Sequence, residues 1–137
     1  MKSPKKKSYQ PIISVNDYDR MDSTFYPVGS YVKSISIGKS LDDDNQISLK
    51  VFQNTDTNSN THNYELPVHR NLDLSILFLS SLLAKEKGTE HFPKSILGEE
   101  IESQPEIHDI NKYYKENKML IDLRLKELKR LIIEVIK

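Results

Sequence analysis

The 137-residue chain contains no cysteine and no tryptophan. Without cysteine there is no disulfide, no thiolate zinc site and no cysteine nucleophile. Apolar runs are short, and none approaches the ~20 residues that a membrane-crossing helix requires. The N-terminus is polar and basic, without the apolar segment of a secretory signal, so a cytoplasmic protein with no membrane association is expected. An excess of one charge is also missing: 20 basic residues face 20 acidic ones. At this length one compact core is expected, not two ordinary domains.

The balance hides three blocks. Residues 1–7 carry four lysines and no acid. Residues 8–103 carry eight basic and fourteen acidic side chains, and residues 104–137 carry eight and six. An acidic body is a poor duplex-binding surface, because nucleic acid needs clustered Lys and Arg to displace counterions. Residues 1–10 have no apolar period and read as a disordered basic tail. Residues 11–137 then read as a single domain.

Alternation dominates the first half of that domain. Ile12, Ile13 and Val15 form a β-branched run, a first strand. Phe25, Tyr26 and Val28 suggest a second short extended piece around Pro27. Residues 31–38 place Tyr31, Lys33, Ile35 and Ile37 on one face, and residues 46–53 do the same with Ile47, Leu49 and Val51. Period two over eight residues marks half-buried strands, and the polar stretch between them makes the pair an antiparallel hairpin. Tyr64, Glu65 and Leu66 alternate once more before Pro67. Together, residues 11–66 predict an antiparallel sheet of four to six strands.

Helical spacing takes over at residue 68. Leu72, Ile76, Leu79 and Leu83 lie on one stripe, widened by Leu74, Leu77, Phe78 and Leu82. This predicts a helix over 68–87, buried in the middle of the fold, with Lys85 and Lys87 at its end and Gly88 as its stop. Ser103-Gln104-Pro105-Glu106 has the form of a capping box and predicts a helix starting there. The fold class expected is thus α+β: an N-terminal antiparallel sheet, a buried helix and a long C-terminal helical region over 104–137.

That last region has no glycine or further proline after Pro105. Ile107, Tyr114, Ile121, Leu128 and Val135 recur every seven residues. Ile110 and Leu131 fall three after two of them, while Asn117 and Arg124 hold the polar middle of the seam. Asp122 and Lys126 make a favourable pair one turn apart. An unbroken helix would span about 50 Å, against about 35–40 Å for a globular body of this size. Its second half is apolar over a wide arc, and burial of each such residue is worth ~1.5–3 kcal/mol. A homodimer or higher assembly follows as the expectation. The alternative is a break near Asn117-Lys118, with two shorter helices folded back as a hairpin.

No pattern argues for catalysis. The four histidines have no partner at zinc spacing, and His69 with Asp73 does not complete a site. Asp42, Asp43 and Asp44 lack the alternate acids and central glycine of a calcium loop. Ile37-Gly38-Lys39-Ser40 lacks the earlier glycine and the following helix of a phosphate loop. The expectation is a protein with no catalytic set, no metal and no cofactor. One small constellation has chemistry: Pro67-Val68-His69-Arg70-Asn71 opens the central helix, where free N–H groups favour an anion. Arg70 adds a bidentate donor, His69 and Asn71 add hydrogen-bond partners, and Tyr64 offers a stacking face. The bland alternative pairs Arg70 with Asp73 or a loop carboxylate.

The segment ELPVHRNLDLSILF at residues 65–78, placed after alternating strands and before long helices, resembles the Thoeris anti-defence sponge family of phage proteins. The resemblance implies a dimer of antiparallel sheets with C-terminal helices. It implies binding of cyclic ADP-ribose-type signals made by TIR-domain enzymes, sequestered without cleavage so that the defence effector stays off. For this chain, stacking would fall to Tyr64, Tyr26 or Phe52, and charge pairing to Arg70 and Arg20. A second class of function also fits: a dimeric protein-interaction module that uses its C-terminal amphipathic helix.

Overall fold

A computed structural model describes residues 10–26, 29, 32–40, 46–53, 64–84, 92–98, 101–102 and 104–137. The element order is strand β1 (Gln10–Asn16), a one-turn helix α1 (Asp19–Asp22) with a 3-10 turn (Ser23–Phe25), and strands β2 (Val32–Lys39), β3 (Ile47–Gln53) and β4 (Tyr64–Pro67). Helices α2 (Val68–Leu83), α3 (Ile107–Glu116) and α4 (Lys118–Val135) follow. The fold is α+β, and the four described strands form one antiparallel sheet in the order β1-β2-β3-β4. The chain divides into two compact units, Met1–Asp73 and Leu74–Lys137. The predicted acidic loop at 42–44, the helix end at Lys85–Gly88 and the Ser103 cap lie outside the described residues.

In the first unit the hairpin expected from alternation is present: Ile35 faces Val51 and Ile37 faces Leu49. Its open end is tied by the Ser40 N–H, which donates to the Gln46 carbonyl at 2.8 Å. Two irregularities shape the sheet. Ile12 is an extra residue in β1, between the pairs Pro11–Gly38 and Ile13–Ile37. Lys33 is an extra residue in β2, between Val32–Gln53 and Ser34–Phe52. The second bulge has a visible use, because the Lys33 carbonyl accepts from the Tyr18 N–H at 3.0 Å and its ammonium lies 3.8 Å from Asp19. The bulge therefore docks the β1–β2 connection.

That connection corrects one expectation. Phe25 ends a 3-10 turn and is not part of a strand. Short polar side chains close helical turns here instead: Ser23 Oγ donates to the Asp19 carbonyl and Thr24 Oγ1 to the Met21 carbonyl. The connection starts at Asp17, whose φ of 58° is left-handed. Aspartate tolerates that region better than most residues, but glycine adopts it freely. Asp17→Gly should accordingly leave stability unchanged or raise it by up to ~1 kcal/mol, read from urea unfolding followed by circular dichroism.

In the second unit, α2 ends in a buried patch of Ser80, Ser81 and Leu82. The predicted burial over most of its circumference is not found: Leu72, Leu74 and Leu83 are more than half exposed. Ser81 Oγ caps inward by donating to the Phe78 carbonyl at 2.6 Å. α3 begins at Ile107, three residues later than the capping-box reading placed it, and Glu106 makes no side-chain cap. Pro105 and Glu106 form a turn instead, with Ile107 and Asp109 N–H groups bonded to the Gln104 and Glu106 carbonyls.

The C-terminal helix is neither continuous nor folded back. It leaves helical geometry at Asn117, with φ −116° and ψ 21°. The hydrogen bonding carries across: the Asn117 N–H reaches the Tyr113 carbonyl at 3.1 Å, and the Ile121 N–H reaches the Asn117 carbonyl at 3.0 Å. Asn117 Nδ2 also donates to the Tyr113 carbonyl. A polar pin spans the bend. Tyr114 Oη donates to Asp122, and Lys118 Nζ donates to Asp122 and, at 3.0 Å, to Tyr114 Oη. In a straight helix the Cα atoms of residues 114 and 122 stand about 12 Å apart, so the pair meets because the axis bends. The ion pair of Asp122 is with Lys118, one turn earlier in α4, in place of the expected Lys126.

The hydrogen bonds from Lys118 and Tyr114 hold the Asp122 carboxyl below the usual carboxylate range. A depressed carboxyl stabilises the folded form above its unfolded pKa of about 3.9, and the contribution is lost as pH falls below that value. Helix content of the C-terminal region should therefore drop between pH 4 and pH 2 by circular dichroism. Asp122→Asn should flatten that dependence.

Candidate functional site

The sheet presents two chemically different faces, and the register fixes which residues share each. One face carries two apolar rows: Ile13–Ile37–Leu49–Leu66 and Val15–Ile35–Val51–Tyr64. The other carries Ser14–Ser36–Lys50–Glu65, Asn16–Ser34–Phe52 and Gly38–Ser48–Pro67. Half-buried strands normally turn their apolar side inward. Here Ser48, on the polar face, is the more deeply buried at 1 % exposure, whereas Ile13 is 64 % and Tyr64 58 % exposed.

The apolar rows line an open groove of about 380 Å³. Tyr64 on β4 and Asn71 from the first turn of α2 both line it. This brings together two of the seven candidate residues. His69 and Arg70 occupy the same first turn but are exposed and do not line the groove. Phe52 lies on the opposite face of the sheet by alternation from Val51. Arg20 is exposed on α1, and Tyr26 follows the 3-10 turn with 53 % exposure; neither lines the groove.

The groove is thus shaped for an apolar or aromatic body; among the described residues, the polar ones that line it are Ser14, Ser36, Lys50, Tyr64 and Asn71. Apolar walls with a few convergent polar groups are the usual composition of a ligand site. Among the described residues, no three His, Asp or Glu side chains are grouped to hold a metal ion, and no helix is long and apolar enough to cross a membrane. Residue-type reasoning had sought charge and aromaticity, and so missed the eight-residue apolar surface. Its signal is present in the alternation of Ile35, Ile37, Leu49 and Val51, which marks half-buried strands.

A second unpartnered surface lies on α4. No residue of this helix is buried. On its seam, Leu128, Leu131 and Val135 are 49 %, 44 % and 82 % exposed.

Residues 1–96 match a family described as a family of unknown function, DUF6530. No curated protein and no solved structure matches the chain.

Proposed function

We infer that this chain, which belongs to the DUF6530 family of unknown function, acts by binding and not by catalysis. It is read as a homo-oligomeric interaction module of the cytoplasm, assembled through its C-terminal helix. The observation that carries this reading is α4 itself: 18 residues of helix, none buried, with an apolar seam facing outward. Contiguous exposed apolar surface of that kind marks an association site. Sedimentation velocity across 1–100 µM protein is the test. A mass of two chains or more, falling on dilution, is the expected result; a single-chain mass throughout would reject the reading.

A second reading has its own observation. Tyr64 and Asn71 both line the apolar groove, and the helix turn that holds Asn71 also carries His69 and Arg70. An aromatic base stacked in the groove beside Tyr64 would leave an attached diphosphate near that helix start and Arg70. With the resemblance of residues 65–78 to the Thoeris sponges, this supports sequestration of a cyclic ADP-ribose-type signal in an infected host. Calorimetric titration with cyclic ADP-ribose isomers should then show saturable heat, weakened about tenfold or more by Tyr64→Ala, since a lost stacking contact is worth ~1–3 kcal/mol. Absence of heat with folded protein rejects the sponge reading and leaves the interaction module standing.

A further inference from the structure

We propose that α3 and α4 pair with the same helices of a second copy in antiparallel orientation, each α4 seating its apolar end in a groove at the start of the other copy's α3. The proposal rests on the self-association reading and names its geometry. The groove lies within the second unit, about 590 Å³ in volume, where Phe78, Ile107 and Ile110 are among the apolar residues lining it. Among the described residues its wall also carries Glu102, Glu106 and Asp109, together with Ser81 and Gln104, and no Lys, Arg or His.

A chain's own α4 does not return to this groove. The groove sits at the first turn of α3, and α4 departs from the other end at Asn117 with helical hydrogen bonding carried across the junction. Residues 118–137 hold six basic and three acidic side chains, so the segment is cationic where the groove is anionic. The seam also has a register that matches apolar residues with one another and one carboxylate with a lysine. Aligned antiparallel about a two-fold axis near position 119, Leu131 falls opposite Ile107, Leu128 opposite Ile110, and Lys129 opposite Asp109. Each copy supplies both halves, as a closed two-fold interface requires. A parallel pairing would set Glu106 and Asp109 against their own copies and leave like charges facing.

The absence of cysteine makes the arrangement directly testable. Ile110→Cys and Leu128→Cys chains, one carrying a size tag, are mixed and mildly oxidised as full-length protein. The mixture should cross-link at least about tenfold faster than either chain alone. In parallel, Lys129→Glu should raise the dimer dissociation constant about tenfold, and adding Asp109→Lys in the same chain should restore it. Leu128→Cys cross-linking to itself as fast as the mixture overturns the antiparallel geometry but keeps the interaction module. A two-chain mass with no cross-link in the mixture does the same. A wild-type mass of one chain at every concentration overturns both.

Discussion

Gly38→Ala will cost the sheet about 3 kcal/mol or more, roughly a fifth to three fifths of the ~5–15 kcal/mol that a small domain holds in total. A Cβ at this position would fall on the Gln10 carbonyl, 2.8 Å from its carbon and 2.9 Å from Pro11 Cα. Both obstacles are backbone, so no rotamer change relieves them. The cause is the bulge at Ile12, which presses β1 against β2 where Pro11 faces Gly38. Gly98→Ala is the control. Gly98 has φ 49° and nothing within 4 Å of its would-be Cβ. Only backbone strain is at stake there, about 1–2 kcal/mol. Urea unfolding by circular dichroism compares the two; equal losses would mean that β1 is not held against β2 as described.

The second large effect concerns assembly. Leu128→Asp with Leu131→Asp should raise the dissociation constant of the self-associated form more than about 100-fold. Burial of each leucine at an interface contributes ~1.5–3 kcal/mol, and every 1.4 kcal/mol is tenfold. Helicity should change little, since both side chains are more than two-fifths exposed within one chain and Asp costs only some tenths of a kcal/mol in a helix interior. Ile96→Asp, at an 81 % exposed position outside α3 and α4, should leave the mass unchanged. Sedimentation velocity on the three proteins separates the outcomes. Unaltered association in the double variant would place the contact elsewhere.

Several features of this molecule can be read in the residues alone, and the reason is local. Period two in residues 46–53 and three-to-four spacing in 68–83 are set by backbone geometry, which neighbouring residues determine. The strands, the hairpin and α2 follow. The misreadings also have local causes. Phe25 and Tyr26 suggested a strand by residue type, but Ser23 and Thr24 bond back to carbonyls one turn earlier and close helical turns. The capping-box motif at 103–106 was read from side-chain identity, whereas the chain enters α3 through a turn at Pro105. A break near Asn117 is one of the two alternatives that the sequence offers. What pattern could not give was the pin of Tyr114, Lys118 and Asp122 that goes with the bend.

The site was less legible than the fold. Charge and aromaticity drew attention to Arg70, Arg20 and Phe52, three residues on three different surfaces. Only Tyr64 and Asn71 converge, because β4 runs directly into α2 and one short connection carries both. The alternation marks half-buried strands, and Ile35, Leu49 and Val51 are half-buried. Alternation says that Ile35, Ile37, Leu49 and Val51 share a side; it does not say that anything covers that side.

The outer border of the sheet has a consequence of its own. Every residue of β1 is exposed, and a bare strand border is a template on which further chains can stack into fibres. Pro11 offers no amide hydrogen to such a newcomer, and the extra residue at Ile12 throws the ladder out of step one position later. Both features oppose polymerisation along the sheet, so that chains cannot stack endlessly through this border.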